Sequence, residues 1–274
     1  MLAGLAAVVA RPAWSRAAGV RFGLTPVFLD DRVRLLRRWG KVFEGTLGQS
    51  VQFVQFSAYN QVVDALRAGQ LEFAWLCGYP FVLHRRDMRL VAVPQWRGRP
   101  LYQSYLIADA DADARVSRLD DLQGKTFAYS DPLSNSGFLY PQHLLRQQRR
   151  DPARYFGRSF FTYSHRHVVE AVAQGLAHAG AVDGYVWETL AEITPQVTAR
   201  TRVILRSPDF GFPPIVAPAQ GSAVLSQAFL RALQAMGTHP EGQTVLQELR
   251  LDGFVAGEPA LFDSIAAMVR GQQA

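Results

Sequence analysis

Short apolar runs alternate with amphipathic stretches along most of the chain, and this alternation restricts the fold more than any other feature. Near the start, strand-like runs at residues 20–24, 51–56 and 73–76 are separated by stretches with apolar residues at three- and four-residue spacing. One such stretch, residues 31–47, can end at Gly48. Strands and helices that alternate in this way form parallel βαβ units, whose ligands lie beyond the carboxyl ends of the strands.

The chain length and the turn-rich segments predict two lobes. A chain of 274 residues can form two lobes of roughly 100 to 150 residues each. The strand-like run at residues 101–108 precedes polar, turn-rich sequence and a second series of strands and helices, and residues 202–205 lead back. We expect lobe 1 to contain residues 19–105 and 204–274, and lobe 2 to contain residues 106–203.

Residues 1–18 resemble a secretory signal that lacks its basic beginning. They contain a short apolar core, and the small residues at positions 15–18 suit a cleavage site. The alternative is a disordered, Ala-rich segment. The apolar core is too short to span a bilayer, and no other stretch approaches 18 continuous apolar residues. The sequence therefore predicts an exported protein that is not integral to the membrane.

The positive charge does not indicate a nucleic-acid partner. The net charge is +6, but all of the basic residues except Lys41 and Lys125 are arginines, and they are scattered over several predicted helices. Solvated helix faces explain this pattern. The overall composition, with 49% hydrophobic and 19% charged residues, is that of a globular protein.

The stretch at residues 130–137, SDPLSNSG, has the composition of an anion-binding loop. It follows an apolar run at residues 126–129 and precedes a helical pattern. Ser and Asn cap helices, Gly137 permits close approach to the backbone, and the free amides of a first turn attract anions. An ordinary helix cap without a ligand is the alternative. Because Pro141 would lie beyond the first turn, we expect that turn to be short or bent.

Catalytic and metal-binding arrangements are not apparent. Ser134, Ser136 and His165 could be imagined as a hydrolase site, and Cys77 with His84 as a thiol pair, but the sequence lacks Gly-x-Ser-x-Gly. Walker-type and dinucleotide-binding motifs are also absent, and the His and carboxylate spacings do not make a zinc motif. The sequence therefore predicts a protein that is not an enzyme and has no metal or cofactor.

Six short motifs occur in order between residues 20 and 218. They are FGLTP (22–26), YNQVVDAL (59–66), FAWLCGYP (73–80), DPLSNSG (131–137), YSH (163–165) and GAVD (180–183). In order and spacing the chain resembles the phosphate/phosphite/phosphonate-binding proteins of ABC importers. The resemblance implies an α/β periplasmic binding protein with two lobes, type II topology and a ligand in the cleft between the lobes.

The resemblance also implies a set of ligand-binding residues. These are Tyr59, Tyr79, Tyr102, Ser134, Asn135, Ser136, His165 and Asp183. The serine and asparagine residues, the three phenols and the imidazole would donate to the oxyanion, and the carboxylate would accept a proton from the ligand or meet its amino group. The alternatives are lobe packing for the tyrosines, a structural role for the histidine and a helix N-cap for the aspartate.

Two functions follow from this resemblance. In the first, the protein captures phosphate, phosphite or a phosphonate and delivers it to an ABC permease and ATPase complex, closing about hinges near residues 104–109 and 201–206. In the second, it presents an oxyanion, such as arsenite held by Cys77, to a membrane histidine kinase. A small buried hydrophobic role is the alternative for Cys77.

Overall fold

The computed structural model describes residues 19–27, 32–110 and 116–273. The predicted export signal, residues 1–18, lies outside this part of the chain. Within the described ranges, no helix combines the length and the apolar character needed to cross a membrane.

Strands and helices alternate as the sequence predicts. The strands found in the described residues are β1 (Val20–Leu24), β2 (Val51–Gln55), β3 (Phe73–Trp75), β4 (Met88–Gln95), β5 (Leu101–Tyr102), β6 (Ser104–Asp109), β7 (Thr126–Tyr129), β8 (Arg158–Phe161), β9 (Ala179–Asp183), β10 (Thr201–Arg206), β11 (Phe210–Gly211), β12 (Ile215–Pro218) and β13 (Gly253–Ala256). The α-helices found there are α1 (Val33–Leu47), α2 (Tyr59–Arg67), α3 (Gly78–Leu83), α4 (Tyr140–Gln147), α5 (Pro152–Tyr155), α6 (His165–Ala173), α7 (Gly184–Ile193), α8 (Pro195–Thr198), α9 (Ala223–Ala235), α10 (Pro240–Leu249) and α11 (Asp263–Gln273).

The strands form two separate large sheets. The first sheet has the strand order β13-β4-β12-β3-β1-β2, and the second has the order β10-β6-β9-β7-β8. In the first sheet β1 pairs in parallel with β2 and β3, and in the second β7 pairs in parallel with β8 and β9. We call the elements packed around each sheet the first-sheet side and the second-sheet side.

The parallel βαβ interpretation is correct for only part of each sheet. β4 does not pair with β3, because β12 lies between them and is antiparallel to both. β12 belongs to the segment that follows the second sheet, so the two sheets are joined by two crossing segments. β13 extends the same sheet by pairing antiparallel with β4.

The two predicted hinge segments, residues 104–109 and 201–206, coincide with two strands of the second sheet. The run at residues 101–108 is two strands: β5 pairs with β11 in a small ribbon, and β6 joins the second sheet. Residues 201–206 form β10, which pairs with β6. The predicted lobe boundaries at 105/106 and 203/204 therefore fall inside strands of the second sheet. The division of the chain into two lobes at these boundaries stays a prediction.

Aromatic side chains form much of the first-sheet core. α1 places Trp39 and Phe43 inward and ends, as predicted, at Gly48, whose φ is +67°. Phe43 stacks on Phe229 of α9, which also stacks on Phe73 of β3, with ring centroids 4.8 and 3.9 Å apart. Burying such rings favours folding by about 1.5–3 kcal/mol each. These ring contacts pack α1 and α9 together and against the first sheet.

Candidate ligand-binding site

The loop between β7 and α4 forms one wall of the candidate site. Ser134 is the N-cap of a π-helix, Asn135–Leu139, and its Oγ accepts a hydrogen bond from the Gly137 amide at 2.9 Å. The expected short or bent first turn is confirmed, because this π-turn precedes the regular helix. Pro141 is the second residue of α4, and the carbonyls that its missing amide would meet, those of Ser136 and Gly137, accept hydrogen bonds from Ser104 Oγ and the Ser130 amide instead.

Four polar side-chain atoms around this loop and the start of α6 are buried without a hydrogen-bond partner in the described protein. They are Ser130 Oγ, Asn135 Oδ1, Ser136 Oγ and Ser164 Oγ. Buried polar atoms are normally paired, since an unpaired one costs about 1–3 kcal/mol. Their concentration in one place indicates a site for a polar ligand.

The same loop makes direct contacts with the first-sheet side. The Asn135 backbone amide donates to Cys77 Sγ at 3.2 Å, and its side-chain Nδ2 donates to the Tyr102 hydroxyl at 2.9 Å. Asp131 Oδ2 accepts a hydrogen bond from the Tyr59 amide at 3.2 Å. These bonds bring the loop to the carboxyl ends of the first-sheet strands.

His165 is buried, and its two ring nitrogens have different partners. Nδ1 accepts the backbone amide of Asp183 at 3.1 Å, so the neutral ring carries its proton on Nε2. Nε2 lies 3.4 Å from Ser134 Oγ. Burial lowers the pKa of His165 to about 3, which keeps the ring neutral near pH 7. The imidazole is therefore a neutral donor, and it cannot take a proton from Ser134 as a hydrolase base would.

Asp183 ends β9 and begins α7. Its Oδ1 accepts hydrogen bonds from the amides of Tyr185 and Val186 at 2.8 and 3.4 Å, so the predicted N-cap alternative is confirmed. Burial raises the pKa of this carboxyl to about 7, although both hydrogen bonds favour the charged form. The side chain also lines the cavity between the two sides. One carboxyl oxygen can cap the helix while the other meets a ligand.

The cavity is small and has a largely apolar lining. Its volume, counted as the space open to the centre of a water-sized sphere, is ≈ 30 Å³. Apolar surface comes from Leu24, Val27, Trp75, Phe212 and Pro213, and none of the described residues that line it is Arg or Lys. Any anion held here is held by neutral donors.

The structure brings two of the three predicted tyrosines to this region. Tyr59 lines the cavity, and burial holds the pKa of its phenol well above the usual value. Tyr102 is buried behind Asn135 and is hydrogen-bonded to it. Tyr79 is different: its hydroxyl donates to Gln272 Oε1 at 3.4 Å, and it does not line the cavity. Tyr102 and residues 134–136 do not line the cavity either, but the Tyr79 hydroxyl is turned toward the C-terminal helix α11. The role of all these residues in binding stays a prediction.

Cys77 is buried in the cavity wall. Burial raises the pKa of its thiol to about 11, so the sulfur is protonated at neutral pH while it accepts the Asn135 amide hydrogen. A buried, protonated thiol matches the small hydrophobic role better than that of a thiolate ligand. In the part of the chain that the structure describes, no group of three His, Cys, Asp or Glu side chains is placed to bind a metal.

Three aromatic residues of the cavity were not predicted from the sequence. Trp75 is the last residue of β3, and its Nε1 donates to the Pro213 carbonyl at 3.0 Å. Tyr185 is the second residue of α7, and Phe212 follows the ribbon strand β11. The strand-end rule could have identified Trp75. No local pattern indicates Phe212, because its position depends on the second crossing of the chain.

The sequence matches a protein family described as "ABC transporter, phosphonate, periplasmic substrate-binding protein" over residues 22–262. A phosphate-import protein of Mycolicibacterium smegmatis is 36% identical over 106 residues, which cover 37% of this chain and 33% of that protein. A probable ABC transporter phosphite-binding protein of Prochlorococcus marinus is 22% identical over 216 residues, covering 75% of this chain and 72% of that one.

Solved structures show the same arrangement of sheets and helices. A binding protein component of an ABC phosphonate transporter from Pseudomonas aeruginosa has a TM-score of 0.85 at 22% identity, covering 93% of this chain and 86% of that one. The Prochlorococcus marinus protein in complex with methylphosphonate has a TM-score of 0.81 at 19% identity, covering 93% and 98%. The predicted α/β fold of type II periplasmic binding proteins is confirmed.

Proposed function

Because the chain belongs to the family of periplasmic substrate-binding proteins of ABC phosphonate transporters, we propose that it captures a small, singly charged phosphorus oxyanion for an ABC importer. The observation that carries this proposal is the charge of the cavity lining. Among the described residues that line the cavity the donors are neutral, and the one carboxyl, that of Asp183, has a pKa of about 7.

The charge of the lining selects for a protonated anion. A doubly charged anion beside an ionised Asp183 would suffer repulsion inside a largely apolar cavity with no cationic side chain in its described lining. A monoanion that keeps one proton can share it with the carboxyl. Sulfate cannot offer such a proton near neutral pH, and it serves as the natural control.

The apolar lining favours phosphite or methylphosphonate over phosphate. A fourth oxygen on phosphorus would need its own hydrogen-bond partner, and leaving it unpaired against Leu24 or Phe212 is costly. A P–H or P–CH₃ group needs no such partner. We therefore propose that the oxygens of the ligand face His165, Asp183 and the loop of residues 134–136 beside His165, and that its apolar substituent faces the first-sheet side.

Calorimetric titration of the purified chain tests this function. The panel contains methylphosphonate, phosphite, aminoethylphosphonate, phosphate, arsenite and sulfate. Tightest binding of methylphosphonate or phosphite, weakening as the pH rises through about 7, is the expected result. Tight sulfate binding, or affinity that rises with pH, would contradict the proposal that the site selects for a protonated anion.

The sensory alternative is tested in the same experiment. Binding of arsenite that disappears in Cys77→Ser would favour a protein that serves a histidine kinase. The raised pKa of the buried Cys77 thiol gives no support to that function. Delivery to a permease and export to the periplasm are parts of the proposal, tested by ligand uptake into cells that carry the intact transporter with and without this protein.

A further inference from the structure

Helix α7 begins at the cavity and continues away from it along the first-sheet side. Asp183 caps the helix, and Tyr185 lines the cavity. Glu188 and Glu192 follow at three- and four-residue spacing, so they lie with Tyr185 on one face of the helix. α7 belongs to the second-sheet side, but this face meets elements of the first-sheet side.

Two ion pairs join this face to the first-sheet side. Glu188 Oε2 lies 3.2 Å from Arg97 Nη2, in the turn after β4, and Glu192 Oε2 lies 2.6 Å from Arg250 Nε, at the end of α10. On the same face the Tyr185 hydroxyl donates to the Leu249 carbonyl at 2.5 Å. The Tyr185 ring also packs edge-on against Trp96, with ring centroids 5.9 Å apart.

Both arginines have a backbone conformation that favours glycine. The φ of Arg97 is +53° and that of Arg250 is +57°. Arg97 and Gly98 form the two central residues of a tight turn, and Arg250 ends α10 in the left-handed region, positions where Asn or Gly is ordinarily preferred. At both places the chain carries a long cation despite this local cost. In each case the guanidinium group pairs with a glutamate of α7.

We propose that these residues, which we call the α7 clasp (Arg97, Glu188, Glu192 and Arg250), set the affinity of the site by holding α7 against the first-sheet side. They are positioning residues that do not line the cavity. The clasp acts through α7, because the helix that it holds also carries Asp183 and Tyr185 at the cavity. Its effect on ligand binding rests on the proposed function, whereas its effect on the arrangement of the two sides does not.

The expected loss of ligand affinity on removal of the clasp follows from the exposure of its side chains. The side chains of the clasp are between 23% and 60% exposed, so each pair contributes the modest free energy of a partly solvated ion pair. Loss of both pairs is expected to weaken binding about threefold to tenfold. Screening by salt should have the same effect.

The double variant Arg97→Asn with Arg250→Gly separates this role from a structural one. Both replacements suit the left-handed backbone, so the unfolding temperature of the ligand-free chain should stay unchanged or rise. The affinity for methylphosphonate should nevertheless fall about threefold to tenfold. Exchange of charges in Glu192→Arg with Arg250→Glu should restore the affinity that Arg250→Glu alone loses. The proposal would be overturned if the Arg97→Asn, Arg250→Gly variant kept its affinity. It would also be overturned if the charge exchange between positions 192 and 250 restored none of the affinity.

A matched control and a second readout complete the test. Arg67 and Asp87 form an ion pair 2.9 Å long, with 45% and 46% exposure, entirely within the first-sheet side. Arg67→Gln should leave the affinity for methylphosphonate unchanged. If the wild-type protein fails to bind methylphosphonate, the choice of ligand is wrong, and X-ray scattering of the ligand-free chain still tests the clasp. A larger radius of gyration in the double variant is then the expected result, and an unchanged radius overturns the proposal.

Discussion

The two walls of the cavity differ in what they offer a ligand. On the second-sheet wall, His165, Asp183 and Tyr185 line the cavity, and the loop beside His165 holds buried hydroxyl and amide groups that have no partner in the described protein. The first-sheet wall contributes mainly the rings and alkyl groups of Leu24, Trp75 and Tyr59. Most of the hydrogen-bonding groups therefore lie on one side, and the other side, apart from the Tyr59 phenol, mainly excludes water. Changes in the second-sheet wall should weaken the binding of every ligand, whereas changes in the first-sheet wall should alter the preference among ligands.

The largest expected effect is that of Gly137→Ala. A β-carbon at this position would lie 1.8 Å from Ser130 Oγ and 3.1 Å from His165 Cε1, so the whole second-sheet wall must shift. We expect about a hundredfold loss of methylphosphonate affinity, the effect of overpacking by a few kcal/mol. Calorimetric titration measures this loss.

A second glycine provides the control. Gly45 lies within α1, and a β-carbon there would meet nothing within 4 Å. Gly45→Ala should therefore keep full affinity and raise the unfolding temperature slightly, since Ala is the better helix former. Equal affinity in the Gly137 and Gly45 variants would show that the second-sheet wall does not hold the ligand.

A smaller loss is expected from Ser136→Ala. The Ser136 hydroxyl is buried and has no partner in the described protein, so its removal should cost no folding free energy. Loss of one hydrogen bond to an anion should weaken methylphosphonate binding about tenfold or more.

Ser134→Ala provides the contrast with that variant. Ser134 Oγ accepts the Gly137 amide hydrogen, and removal of this cap should destabilise the fold by about 1 kcal/mol. Thermal unfolding and titration of both variants would separate the two roles. A lower unfolding temperature for Ser136→Ala would contradict the assignment of its hydroxyl to the ligand.

Asp183→Asn tests the charge of the second-sheet wall through pH. The folded pKa of about 7 lies above the ordinary value of 3.8, so the carboxyl contributes stability below pH 3.8 and loses it as the pH rises through 7. Asn keeps the N-cap acceptor but has no proton to lose. The stability of the variant relative to wild type should therefore increase between pH 4 and pH 8. Parallel curves in thermal unfolding would contradict the raised pKa.

The sequence could predict the second-sheet wall better than the first-sheet wall, for a physical reason. Ser134, Gly137 and Asp183 act through caps and turns whose partners lie within a few residues, so local chemistry identifies them. The first-sheet wall depends on distant segments. Phe212 enters only after the second crossing, and β12 then separates β3 from β4.

Tyr79 shows the same limit in one side chain. It follows a strand end and lies near Cys77 in sequence, which favours a position in the cleft. The hydroxyl is instead bonded to Gln272, 193 residues later, because α11 packs against α3. No pattern near Tyr79 contains that information.

The smallest expected effect on affinity is that of Tyr79→Phe, which we compare with Tyr59→Phe in the first-sheet wall. Tyr79→Phe should change methylphosphonate affinity less than twofold, because the lost hydroxyl bonds to α11 at a long 3.4 Å and does not reach the cavity. Tyr59→Phe removes a phenol that lines the cavity, and it should reduce affinity several-fold while the ring still excludes water. Titration of the two variants side by side compares hydroxyls of equal chemistry in different places. A larger loss for Tyr79→Phe would mean that the first-sheet wall includes α3, and that the two walls share the hydrogen bonds more evenly than the cavity indicates.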